Sequence, residues 1–163
     1  MTSTDTRREP ERFTGQCQCG HVVYEVTGQS ATLFACHCTE CQRQSSSAFG
    51  MALWIENPVV QLRQGELSEW VRTTPSGQRL AGRFCPQCGT RLFHQALGQN
   101  RFLSIKPGTL DNTRGLSPVG HLWTQSKQAW VQLPPDSLCY AQNPPSFEAL
   151  IQRWPQAPTP ADA

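Results

Sequence analysis

The chain lacks several things that would decide its class at once. No apolar run approaches the 18 or more residues of a membrane-spanning helix. No charge of one sign dominates: Lys and Arg are scattered and the formal net charge is +2. A phosphate-tracking surface of basic and interleaved aromatic residues is therefore not expected, nor is a nucleic-acid partner. No internal repeat is visible. The first residues, 1–12, are polar and carry no apolar core of a secretory signal, so they read as a disordered leader. Without export the expected compartment is the reducing cytoplasm, with no membrane partner. There, clustered cysteines read as metal ligands before they read as disulfides.

Cysteine is what the chain does have. Seven of its eight cysteines fall in three tight clusters: Cys17-Gln-Cys19, Cys36-His-Cys38-Thr-Glu-Cys41 and Cys85-Pro-Gln-Cys88. Neighbouring cysteines in a Cys-x-Cys strand point to opposite faces and cannot pair with each other. The seven thiols divide into one closed site of four and one open site of three. Cys17, Cys19, Cys85 and Cys88 suit a tetrahedral structural zinc, with Gly89 relieving the tight knuckle. Cys36 or Cys41 pairing with that knuckle is the other partition. Cys36, Cys38 and Cys41 would hold a second zinc and leave a position free for a substrate, which makes them the candidate catalytic set. A trithiolate zinc is a weak Lewis acid but a good holder of a substrate sulfur, so thiol activation fits better than hydrolysis. A fourth ligand from His37, His94, His121 or Cys139 would instead close the site as a second staple. The ring of His37 is expected to point away from a metal shared by its neighbours. Cys139, between Leu138 and Tyr140, reads as a small buried hydrophobe.

Around these clusters the chain alternates short apolar runs with turn residues. Strands are expected over 21–26, 32–36, 48–55, 59–62, 67–73, 80–84, 90–94, 102–106 and 121–124. Gly15 and Gly20 shape a turn that presents the first thiols. Asn57-Pro58 turns the chain, and one helical turn follows Cys38. This is an all-β domain of coiled antiparallel sheets over residues 13–140, with a proline-rich tail over 141–163. In the tail, Phe147, Leu150, Ile151 and Trp154 recur at helical spacing after a candidate N-cap, Ser146. That short C-terminal helix packs on its own domain or serves a partner or a homodimer. Disorder is expected after Pro155.

Three segments together resemble one family. They are Gly15-x-Cys17-x-Cys19-Gly20, Cys36-His37-Cys38-x-x-Cys41, and Phe84-Cys85-x-x-Cys88-Gly89-Thr90-x-Leu92. Gly108-Thr109-Leu110-Asp111 and His121-Leu122-Trp123 fit later signatures of the same family. The resemblance is to the glutathione-dependent formaldehyde-activating enzymes, the GFA or CENP-V family, and runs from about Gly15 to about Tyr140. It implies a β-tent fold with zinc knuckles. It implies two zinc ions per chain, a structural one on Cys17, Cys19, Cys85 and Cys88 and a second on Cys36, Cys38 and Cys41. It also implies a carbon–sulfur lyase that joins glutathione and formaldehyde as S-hydroxymethylglutathione. One departure is Ser46, where the family often has glycine before Ser-Ala-Phe; its side chain would narrow the approach to the open site.

On this reading Glu40, His37 and His94 are acid–base candidates, and Arg43, Arg83 and Arg91 could receive the carboxylates of glutathione. Trp54, Trp70 and Trp123 read as core first and pocket walls second. The alternative function is a non-catalytic, zinc-stabilised protein-binding module. Redox work ranks last, because only Cys139 is left over and no cation adjoins it in sequence.

Overall fold

The computed structural model describes residues 9–154. Its strands are β1 Glu11–Gln16, β2 Val23–Cys36, β3 Gly50–Gln64, β4 Ser68–Thr73, β5 Arg79–Phe84, β6 Arg91–Ala96, β7 Phe102–Ile105, β8 Gly120–Leu122 and β9 Leu138–Cys139. Two short helices join them, α1 over Thr39–Ser45 and α2 over Glu148–Arg153. All nine strands form one coiled sheet in the order β4-β5-β6-β7-β3-β2-β8-β9, with β1 also paired to β2.

The all-β expectation holds, with local corrections. The separate strands expected over 21–26 and 32–36 are one strand, β2, with register shifts at Thr27/Gln29 and Ser30/Thr32. These irregularities bend the strand without ending it. Asn57-Pro58 likewise does not turn the chain. Asn57 takes a positive φ of 50° inside β3, and pairing with β2 resumes at Val59. Asparagine tolerates that left-handed conformation, so a bulge replaces the turn. The sheet is mixed, because β8 runs parallel to both β2 and β9. Strand β1 reaches into the expected leader, since Glu11 and Arg12 pair with Gly28 and Thr27. Arg12 there donates to Glu25 at 2.8 Å. Residues 1–8 of the leader, and the segment after Pro155 for which disorder was expected, lie outside the described residues.

The main core lies where β2, β3, β6 and β7 stack their inward side chains. Tyr24, Leu33, Leu53, Ile55, Phe93 and Ile105 are at most 1% exposed. Each such side chain contributes about 1.5–3 kcal/mol by leaving water. Cys17 and Cys85 belong to this same cluster, so the closed thiol group is part of the core rather than an appendage. A second core gathers Phe34, Val119, Leu122 and Leu150, with Phe147, Trp54 and Trp154 packed on it. It settles the tail helix. The apolar face of α2 covers its own sheet, Thr32 Oγ1 donates to the carbonyl of Leu150 at 3.1 Å, and Trp154 Nε1 donates to Ser30 Oγ at 2.9 Å. Ser146 does not cap it: Phe147 occupies the N-cap and makes no side-chain cap hydrogen bond.

Candidate metal centres

The closed group forms where two turns meet. After β1 the chain turns back through Gly20, whose φ is 74°, and Cys17 N–H donates to the carbonyl of Val22 at 3.0 Å. Gly15, expected in this turn, lies inside β1 opposite Tyr24. The second turn joins β5 to β6. Gly89 takes φ 75° and donates to the carbonyl of Cys85 at 2.9 Å, a conformation that a side chain disfavours. The sulfurs of Cys17, Cys19, Cys85 and Cys88 then all lie within 4.8 Å of one another. Donors face the sulfurs: Val22 N–H lies 3.2 Å from Cys17 Sγ, and Thr90 Oγ1 lies 3.2 Å from Cys88 Sγ. The thiol of Cys88 is drawn down to about 5, first by the Thr90 hydroxyl and then by its backbone N–H.

The three-thiol group forms where β2 ends and α1 begins. Cys36 is the last residue of β2, paired to both Gly50 and Leu122. Cys38 is the N-cap of α1, and its sulfur accepts from Cys41 N–H at 3.3 Å. The three sulfurs also lie within 4.8 Å of one another, and among the described residues no fourth ligand joins them. The thiol of Cys38 is lowered by hydrogen bonds from Cys36 and then Cys41, while that of Cys36 is pushed up.

His37 does face away from this triad. Its ring is fully buried, packs on Phe49 and shares a 2.9 Å hydrogen bond from Nε2 to Nδ1 of His121. Burial pushes it down to about 4, so it is neutral at physiological pH. Its backbone is also pinned, donating to Leu122 O and accepting from Gln42 Nε2 and Ser126 Oγ. The residue between two thiols thus fixes the loop that carries them.

The other candidates separate. Glu40 is exposed and pairs with Arg43, and Arg83 pairs with Glu69 on the neighbouring strand. His94 is half-buried on β6, joins neither thiol group, and accepts from Arg91 Nη1. Trp54 and Trp123 pack on the second core as expected. Trp70 does not; it is 54% exposed, because β4 is an edge strand. Cys139 is not a buried hydrophobe either: it lies exposed on the last edge strand, its thiol facing the carbonyl of Ser137.

A cavity of about 510 Å³ adjoins the triad, bounded by Ser46, Phe49, Cys88, Thr90, Arg91 and Lys106. The thiols of the triad do not line it themselves; Gly50 and Lys106 form the boundary. A Cβ built on Gly50 would sit 3.4 Å from Cys41 Cβ and 3.5 Å from Lys106 Nζ, so the ammonium stands beside the thiol group. Burial lowers the pKa of Lys106, and the thiolates, Cys41 foremost, oppose that shift. Sequence reasoning missed Lys106. The available signal was a lone cation closing the apolar strand Phe102–Ile105 beside Pro107.

A crystal structure of a Rhodobacter sphaeroides protein superposes with a TM-score of 0.46, covering 64% of this chain and 91% of its own at 22% identity. No curated protein matches the chain. The family model described as glutathione-dependent formaldehyde-activating enzyme matches residues 12–126, a span holding all seven clustered cysteines and Lys106. The chain therefore belongs to the glutathione-dependent formaldehyde-activating enzyme family.

Proposed function

We propose that the protein is a zinc-dependent carbon–sulfur lyase that condenses glutathione with formaldehyde and reverses that addition. The observation that carries this is the asymmetry of the two thiol groups. Four sulfurs converge as a complete tetrahedral set anchored in the core by Cys17 and Cys85, whereas three converge beside Gly50 and Lys106 with no fourth ligand among the described residues. Soft thiolate donors in these numbers suit zinc. Cys17, Cys19, Cys85 and Cys88 would hold a structural ion, and Cys36, Cys38 and Cys41 a catalytic one.

Bound to that triad, zinc would keep a substrate thiol ionised near neutral pH while leaving it nucleophilic. The chain's own residues supply the rest. The His37–His121 bond and the pinned backbone of His37 hold Cys36 and Cys38 in register. Phe49 and Met51 give the cavity an apolar wall. In the addition, a sulfur lone pair forms the new C–S bond and the carbonyl π pair moves to oxygen. That oxygen then takes the proton the thiol gave up, giving the hydroxymethyl thioether. Lys106 is the cation nearest the triad and favours negative charge developing there. Of the three arginines considered for glutathione's carboxylates, only Arg91 reaches the cavity.

The protein-binding alternative has lost its main support, because the apolar face of α2 is spent on its own domain. The discriminating experiment is carbon-13 exchange spectroscopy on labelled formaldehyde equilibrated with glutathione. Zinc-loaded protein should accelerate exchange into S-hydroxymethylglutathione above the uncatalysed rate, and folded Cys38→Ser should not. Equal rates with and without wild-type protein would leave the non-catalytic reading.

A further inference from the structure

Most free edges of the sheet are covered, guarded or very short. Strand β1 is covered where Gly15 bridges Leu110 and Asp111 N–H donates to the carbonyl of Thr14. The end of β3 that runs past its pairing with β7 is guarded by the bulge at Asn57 and by Pro58. Strand β9 spans Leu138–Cys139 alone. Such devices keep sheet edges from pairing with other chains. Strand β4 has none of them. It pairs with β5 from Ser68 to Thr73 without a register shift and contains neither proline nor glycine. Among the described residues no strand pairs with its outer side.

The side chains of β4 are also left without partners. Trp70 lies opposite Gly82, which offers it no cross-strand side chain, and the indole is half-exposed. Arg72, two residues on, stands on the same face and makes no ion pair among the described residues. The two border a groove of about 480 Å³ together with Glu40, whose carboxylate is taken by Arg43. Among the described residues no cation lies over the indole of Trp70. Tryptophan and arginine are the residue types that most often carry the binding energy of a protein interface.

The strand is its own complement. A two-fold axis normal to the sheet joins two copies of β4 antiparallel, and opposed side chains share a face when the axis passes between a residue and its own copy. An axis at Arg72 sets guanidinium against guanidinium. An axis at Trp70 sets Arg72 against Ser68 and Glu69 against Val71. An axis at Val71 sets Trp70 against Arg72 of the second copy, twice, and Glu69 against Thr73. Opposed Cβ atoms lie about 4.5–5.5 Å apart, close enough for a guanidinium to cover an indole face. In that register each copy supplies what the other lacks.

We infer that β4 is a homodimerisation edge, joining two chains into one continuous sheet through reciprocal Trp70–Arg72 contacts about Val71. Two short strands make a small interface, so the dimer is reversible.

The test is sedimentation equilibrium on the zinc-loaded full chain. Between about 1 μM and about 1 mM the mass should rise from one chain to two. Arg72→Gln should weaken association about tenfold to a hundredfold, since two cation–π contacts are lost per dimer, and Arg72→Lys should restore most of it. Trp70→Ala should weaken association as much while melting with the wild type, because the indole lies outside both cores. Cross-linking reads the register, with the exposed Cys139 replaced by serine. Val71→Cys should give a disulfide-linked dimer, because its two copies meet at the axis, and Thr73→Cys should not. A chain that stays monomeric throughout would overturn the inference, leaving a strand of another protein as the remaining occupant. A dimer indifferent to both Trp70→Ala and Arg72→Gln, or one that cross-links through Thr73→Cys and not through Val71→Cys, would overturn it as well.

Discussion

Replacing Cys85 with serine should cost far more stability than replacing Cys38. Cys85 is fully buried, and its sulfur lies 3.8 Å from that of Cys19, 66 residues earlier in the chain. A metal shared by these thiols closes a loop of that length. The chain-entropy relation for a cross-link gives about 4 kcal/mol for it, taken from the unfolded chain. The triad cross-links only residues 36–41, for which the same relation gives about 2 kcal/mol. In a domain of this size each kcal/mol moves the melting temperature by about 2–4 °C. Cys85→Ser should therefore melt about 8–16 °C below the zinc-loaded wild type, and Cys38→Ser about 4–8 °C below. Calorimetric melting of metal-quantified samples checks this, and each variant should retain one zinc per chain rather than two. A Cys85→Ser protein that melts with the wild type, or a larger drop for Cys38→Ser, would refute the division into a staple and an open site.

Other consequences concern single side chains. Leu150→Ala removes a fully buried leucine from the second core and should destabilise by about 2–5 kcal/mol in denaturant titration, while leaving zinc content at two per chain. His94 is pushed down to about 3 in the folded protein from an ordinary 6.5, so the unfolded chain takes up the proton first. Its contribution to stability is complete above pH 6.5 and fades as pH falls from 6.5 towards 3. At pH 5 the loss should be about 2 kcal/mol, and His94→Gln should flatten that part of the stability–pH curve. Ser46 holds a left-handed φ of 51° as the C-cap of α1, so Ser46→Gly should raise stability by about 0.5–1 kcal/mol and widen the cavity mouth. Thiol affinity measured on that variant should not fall.

The metal arithmetic was legible because it is local chemistry. Three cysteine clusters of distinct spacing divide as four and three, and the sulfurs converge in that division. The all-β class was legible from short apolar runs between turn residues. Continuity was harder to read. The gap between 21–26 and 32–36 and the Asn57-Pro58 pair look like chain breaks, yet both sit within long bent strands whose pairing partners carry them through. The parallel placement of β8 and β9 depends on contacts with β2 far away in sequence, which no local pattern encodes. The same holds for the site's charges. Arg43, Arg83 and Arg91 are alike as sequence, and only the fold pairs the first two with Glu40 and Glu69 and turns the third to the cavity. Lys106 lies 65 residues beyond Cys41 and becomes its neighbour only because Lys106 N–H pairs with Leu92 O at the end of β7 and β3 brings Gly50 alongside.

The most direct measurement is glutathione binding, by titration calorimetry, to zinc-loaded wild type and to folded Cys38→Ser. A thiol held at the three-cysteine site predicts saturable one-to-one binding with proton release in the wild type, and its loss in the variant. Equal binding to both proteins, or no binding to the wild type, would contradict the assignment of Cys36, Cys38 and Cys41 as the site that takes the substrate sulfur.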